Sequence, residues 1–154
     1  TKIYIGIPNN YSNSLTIHQR TGKLTIKKLR MGNLNIKTTA ASISVDDILF
    51  ENLNLKAGSA SSIINLKRKS GNITIDSSVG KVNITIDKIA GDIRFEGGTM
   101  GGSLVIPEKS PVDIINIGNS KKCKISAKTS EEKIYSMILK PGVGRIKVTD
   151  SKGF

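Results

Sequence analysis

The chain has 154 residues, a formal charge of +12, three Tyr, three Phe and no Trp. That length suits one domain, and no apolar run approaches the roughly 20 residues a membrane-spanning helix needs. A single cysteine excludes an internal disulfide framework, and so few aromatics argue against one large globular core.

The segment Lys2-Ile3-Tyr4-Ile5-Gly6-Ile7-Pro8 reads as a strand ended by proline, an N-terminal cap strand over residues 1–12. From residue 13 a short pattern recurs: a small or polar residue, then apolar, polar, apolar. Gly22-Lys23-Leu24-Thr25-Ile26, Gly32-Asn33-Leu34-Asn35-Ile36 and Gly71-Asn72-Ile73-Thr74-Ile75 are clear copies. Taking every second copy gives two interleaved columns. One begins its apolar pairs at Leu15, Leu34, Leu53, Ile73 and Ile93, with steps of 19, 19, 20 and 20. The other begins at Leu24, Ile43, Ile64, Ile84 and Leu104, with steps of 19, 21, 20 and 20.

Strict alternation over three residues, followed by a break, is the period of a strand and not of an amphipathic helix. Hairpins would need no long-range period. A coil stacks residues one turn apart, so like positions should carry like residues, and they do. The position before each first-column pair reads Ser14, Asn33, Asn52, Asn72, Asp92; the one before that reads Asn13, Gly32, Glu51, Gly71, Gly91. Such Gly and Asn suggest a shared turn with positive φ or a local Asx-type hydrogen bond. Leu29, Ile48 and Ile89 suit a third, shorter inner wall. The expectation is an all-β, single-stranded parallel β-solenoid of about 20 residues per coil. It forms a single domain over 1–154, with regular coils over about 13–106 and less regular capping strands over 107–154.

In that last part Leu104-Val105-Ile106-Pro107 repeats the opening strand-then-proline arrangement, and strands are expected near Lys124–Ala127, Lys133–Leu139 and Arg145–Val148. Cys123 lies between Lys122 and Lys124, a setting that lowers a thiol pKa, against the plainer reading of a partly buried strand residue.

The charge is uneven. Residues 1–45 hold seven Lys/Arg and no Asp or Glu. Stacking would gather Arg20, Lys23, Lys27, Lys28 and Arg30 on adjoining corners, with Lys37 and Lys56 one column across and Lys67, Arg68 and Lys69 forming a further corner. These ten are the candidate anion-binding residues. The residue after each first-column pair runs His18, Lys37, Lys56, Asp76, Glu96, a ladder that changes sign along the axis. The corners contain no aromatic to stack on bases, and no helix is expected to enter a groove, so no specific nucleic-acid partner is expected. Anionic cell-wall polymer, membrane head groups or surface glycan fit the charge better; a merely solvated lysine-rich surface fits it too.

No catalytic, cofactor or metal site is expected. His18 stands alone, and Asp46-Asp47 and Glu131-Glu132 read as isolated acid pairs. The outward positions Thr16, Asn35, Asn54, Thr74 and Thr25, Ser44, Asn65, Thr85 make polar ladders and not an acid–base pair.

The Gly-polar-apolar-polar-apolar copies, Ile5-Gly6-Ile7-Pro8 leading to Leu15-Thr16-Ile17, and Lys140-Pro141-Gly142-Val143-Gly144-Arg145-Ile146-Lys147-Val148 resemble a bacterial β-strand repeat family designated adhesins. That resemblance implies an envelope-associated domain of unknown function and supplies no catalytic residues. The leading expectation is a noncatalytic bacterial surface or envelope module, whether adhesin, spacer or sensor. The alternatives are an anionic-polymer or membrane-surface binding module and, third, a carbohydrate-active β-helix enzyme. An extracellular or envelope location is expected, with the cytoplasm as the alternative.

Overall fold

A computed structural model describes residues 6–8 and 13–151. In chain order its strands are β1 (Ser14–Gln19), β2 (Lys23–Lys27), β3 (Arg30–Thr38), β4 (Ser42–Asp46), β5 (Leu49–Ala57), β6 (Ser62–Lys69) and β7 (Asn72–Ser77). There follow β8 (Val82–Lys88), β9 (Ile93–Glu96), β10 (Gly102–Pro107), β11 (Val112–Asn116), β12 (Cys123–Ile125), β13 (Tyr135–Lys140) and β14 (Ile146–Ser151). They form two seven-stranded sheets, β1-β3-β5-β7-β9-β13-β11 and β12-β14-β10-β8-β6-β4-β2, with parallel pairing throughout. The fold is therefore a parallel β-solenoid of about seven turns, its coils about 20 residues apart.

The first sheet has the expected register. Leu15, Leu34, Leu53, Ile73 and Ile93 are successive Cα partners, and the column continues through Met137 to Ile114. Ile17, Ile36, Leu55, Ile75, Phe95 and Leu139 form the second inward column. Period-two burial follows: in β7 every second residue is buried and the others are exposed. Each such aliphatic side chain contributes about 1.5–3 kcal/mol, distributed evenly along the stack.

The second sheet departs from the expected register. Ile64 stacks on Val45, and Ser62 on Ile43, so the step of 21 residues does not exist. The slip is two residues, an even number, which keeps Ile64 and Leu66 on the inner face. The reason is that Ser62, a fully buried hydroxyl residue, occupies the inward position that the apolar pattern assigned to Ile64.

Two further expectations are corrected. The third wall exists, with Ile48 and Ile89 buried, but in the early coils it merges into the long strands β3 and β5, where Met31 lies on Phe50. Gly71 and Gly91 are not there for positive φ, which among the described glycines occurs at Gly22 and Gly101. A Cβ on Gly91 would meet the Gly71 carbonyl at 2.4 Å, and one on Gly71 would meet the Phe50 and Glu51 carbonyl oxygens at 2.4 Å. Close backbone stacking of successive coils requires them.

Residues 107–151, expected as less regular capping strands, are strands set outside the regular chain order. They supply two more coils to the same sheets, out of chain order: β13 and β14 lie between the β9/β10 coil and the β11/β12 coil. Of the expected N-terminal cap strand, Gly6–Pro8 is not in a strand, although Ile7 packs against the core; the rest lies outside the described residues.

Candidate functional site

The polar positions beside the core join one coil to the next. Asn33 Nδ2 donates to Ser14 Oγ at 3.2 Å, Asn52 Nδ2 to Asn33 Oδ1 at 2.8 Å, and Asn72 Nδ2 to Asn52 Oδ1 at 3.1 Å. The Asp92 backbone N–H then donates to Asn72 Oδ1 at 2.9 Å, and Asp92 Oδ1 accepts from the Ser136 N–H at 3.0 Å. The asparagines thus bond between coils and do not close local Asx turns as the sequence suggested. On the outward face Asn54 Nδ2 donates to Asn35 Oδ1 and Ser103 Oγ to Asn83 Oδ1, both at 2.8 Å.

The ten candidate cations fall on two edges of the coil. Arg20, Lys23, Lys37 and Lys56 lie where the chain passes from the first sheet to the second. Lys37 and Lys56 are register partners, and Lys56 is followed by Asp76 and Glu96, as the sign-changing ladder required. Between Lys37, Thr39, Lys56, Gly58, Asp76 and Ser78 runs a shallow groove of about 290 Å³.

Lys27, Lys28, Arg30, Lys67, Arg68 and Lys69 lie on the edge where the chain returns to the first sheet. Lys28 takes a left-handed backbone, φ 52°, and its N–H donates to the Asp46 carbonyl. The acid pair that looked isolated is placed under the 67–69 corner: Lys67 Nζ stands 3.4 Å from Asp46 Oδ1, and Arg68 Nε 2.9 Å from Asp47 Oδ1. Arg68 Nη2 also donates to the Asp47 carbonyl at 3.2 Å. The partners are 21 residues apart, one coil plus two, a spacing visible in the sequence once the second-sheet register is known. Among the described residues, Arg20, Lys23, Lys27, Lys28, Arg30, Lys37 and Lys56 form no ion pair within 4.0 Å, and all seven are exposed. Because residues 1–45 contain no Asp or Glu, net positive charge is densest towards the first coils.

Cys123 is half-buried in β12, and burial pushes its thiol pKa up, opposite to the lowering its lysine neighbours suggested. Among the described residues no helix is long and apolar enough to cross a membrane.

Residues 1–134 match the family model Toastrack DUF4097, and the chain belongs to that family, which is uncharacterised. No curated protein and no solved structure matched the chain.

Proposed function

We propose that the chain is a noncatalytic module of the bacterial envelope that holds an anionic cell-wall polymer along the cations of its first three coils. One observation carries the reading: seven exposed cations between Arg20 and Lys56 have no acid partner, whereas Lys67 and Arg68, further along the third coil, are ion-paired. Lys37 and Lys56, stacked at strand spacing of about 4.8 Å, and the exposed cations around them offer charge to a flexible polyanion without needing a shaped pocket. The coil-to-coil bonding of Asn35 with Asn54 and of Asn83 with Ser103 favours a structural use of the outward polar ladders over an acid–base one.

The test is retention on a phosphodiester polymer of the teichoic-acid type, against anionic vesicles as a second arm. The parent should be retained and released by salt, since exposed charges are screened within about 10 Å at 0.1 M. Replacing Arg20, Lys23, Lys27, Lys28 and Arg30 by Gln should leave the fold intact, weaken retention and flatten its salt dependence. Unchanged, salt-insensitive retention would refute the reading, and retention on vesicles alone would move it to a membrane surface.

A further inference from the structure

The order of the last coils points to a second use of the chain. After Pro107 the chain does not lay down the next coil. Residues 108–111 climb past one level, about 9.6 Å at two strand spacings, to begin the outermost coil β11/β12. Residues 126–134 then turn back, and β13/β14 fills the level left open. The two connections, one climbing two levels and the other descending one, meet on that edge. Lys109 N–H donates to the Lys128 carbonyl at 2.8 Å, Ser130 N–H to the Ser110 carbonyl at 3.0 Å, and the Ile134 and Tyr135 N–H groups to the Pro111 carbonyl at 3.0 Å.

The open level is thus a slot walled by β9/β10 on one side and β11/β12 on the other. Its filler is paired along both edges and buries Met137, Leu139, Ile146 and Val148 completely. Its link to the rest of the described chain is residues 126–134, of which Glu131 to Ile134 are exposed. The family match ends at residue 134, immediately before β13, so every slot-building strand lies inside the matched region and the filler outside it.

We propose that this slot is a strand-acceptor site, filled in cis by residues 135–151 and able to take the same segment from a second copy, so that two chains join by coil exchange. The filler's ladder bonds and buried side chains are the same whichever copy supplies it; the two arrangements differ in the path of 126–134 and in concentration. The nine-residue link keeps a chain's own filler at high effective concentration, so cis filling dominates in dilute protein and exchange follows unfolding at high concentration.

The full chain carrying Cys123→Ser is unfolded in denaturant and refolded over a range of concentrations, with mass read by light scattering. The expected result is a dimer fraction that rises with concentration and persists on dilution. A second variant adds Asp113→Cys and Ser136→Cys, register partners on β11 and β13. Oxidised as folded monomer and then taken through the same cycle, it should return as monomer alone. Monomer at every concentration for the unlocked chain, or dimer formed equally well by the locked one, would overturn the proposal.

Discussion

Replacing Ile36 by Asp separates the two faces of β3 more sharply than any truncation. Ile36 is 2% exposed and stacks between Ile17 and Leu55 in a column of hydrocarbon. The substitution removes about 2 kcal/mol of apolar burial. Holding the new carboxyl protonated at pH 7, against an unfolded pKa of about 3.9, costs about 4 kcal/mol more. A protonated carboxyl without hydrogen-bond partners adds about 1–3 kcal/mol. The sum, about 7–9 kcal/mol, is comparable with the whole stability of an ordinary domain, about 5–15 kcal/mol. Thermal melting followed by circular dichroism should show loss of the transition at pH 7 or a fall of roughly 15–35 °C. The sign with pH is diagnostic. The folded-state pKa is raised, so the unfolded chain releases a proton that the folded chain keeps, and the deficit shrinks as pH falls towards about 4. Asn35→Asp is the control. Asn35 is half-exposed, and its Oδ1 accepts from Asn54 Nδ2, a role a carboxylate keeps, so the change should stay within about 0.5 kcal/mol. Equal losses in the two variants, or a deficit for Ile36→Asp that does not narrow at low pH, would refute the assignment of faces.

Asn52→Asp should cost about 1–3 kcal/mol in chemical denaturation, because two acceptors would then face each other where Asn52 Nδ2 now donates to Asn33 Oδ1. Gly91→Ala should destabilise by at least about 2 kcal/mol, since its methyl would have to displace the Gly71 backbone; a neutral result would show that the coils are free to move apart. Cys123 should alkylate more slowly than a free thiol at pH 8, with the gap closing as pH rises through its elevated pKa; faster alkylation would show that the neighbouring lysines outweigh burial.

What the sequence made legible follows from how strictly each position is constrained. The first-sheet columns could be read residue by residue because both residues of each inward pair, from Leu15/Ile17 to Ile93/Phe95, are apolar and each coil repeats at 19 or 20 residues. The second sheet misled at one residue: Ser62 faces inward, and a polar residue in a buried column cannot be told from the end of a strand. Asn33, Asn52 and Asn72 were conspicuous, but whether an amide bonds its own turn or the next coil depends on which strands are neighbours. Asp46 and Asp47 could not be matched to Lys67 and Arg68 before that register was known. The insertion of β13/β14 was illegible, since Met137 and Leu139 would suit the first-sheet column equally well at the end of the stack or one level in.

The two ends of the stack carry charge of the same sign. One bears Arg20, Lys23, Lys27 and Lys28 around the first coil; at the other, the outermost coil carries Lys121, Lys122 and Lys124 against Asp113. Among the described strands the stack ends at β1/β2 and at β11/β12, and two strand edges meeting end to end would let coils add indefinitely into a filament. Like charge at both ends opposes that approach at low ionic strength, giving the molecule a colloidal stability that its hydrogen bonding alone would not provide. The same electrostatics makes that protection conditional: concentrated salt, or a polyanion long enough to bridge two ends, removes the repulsion and leaves the edges free to meet.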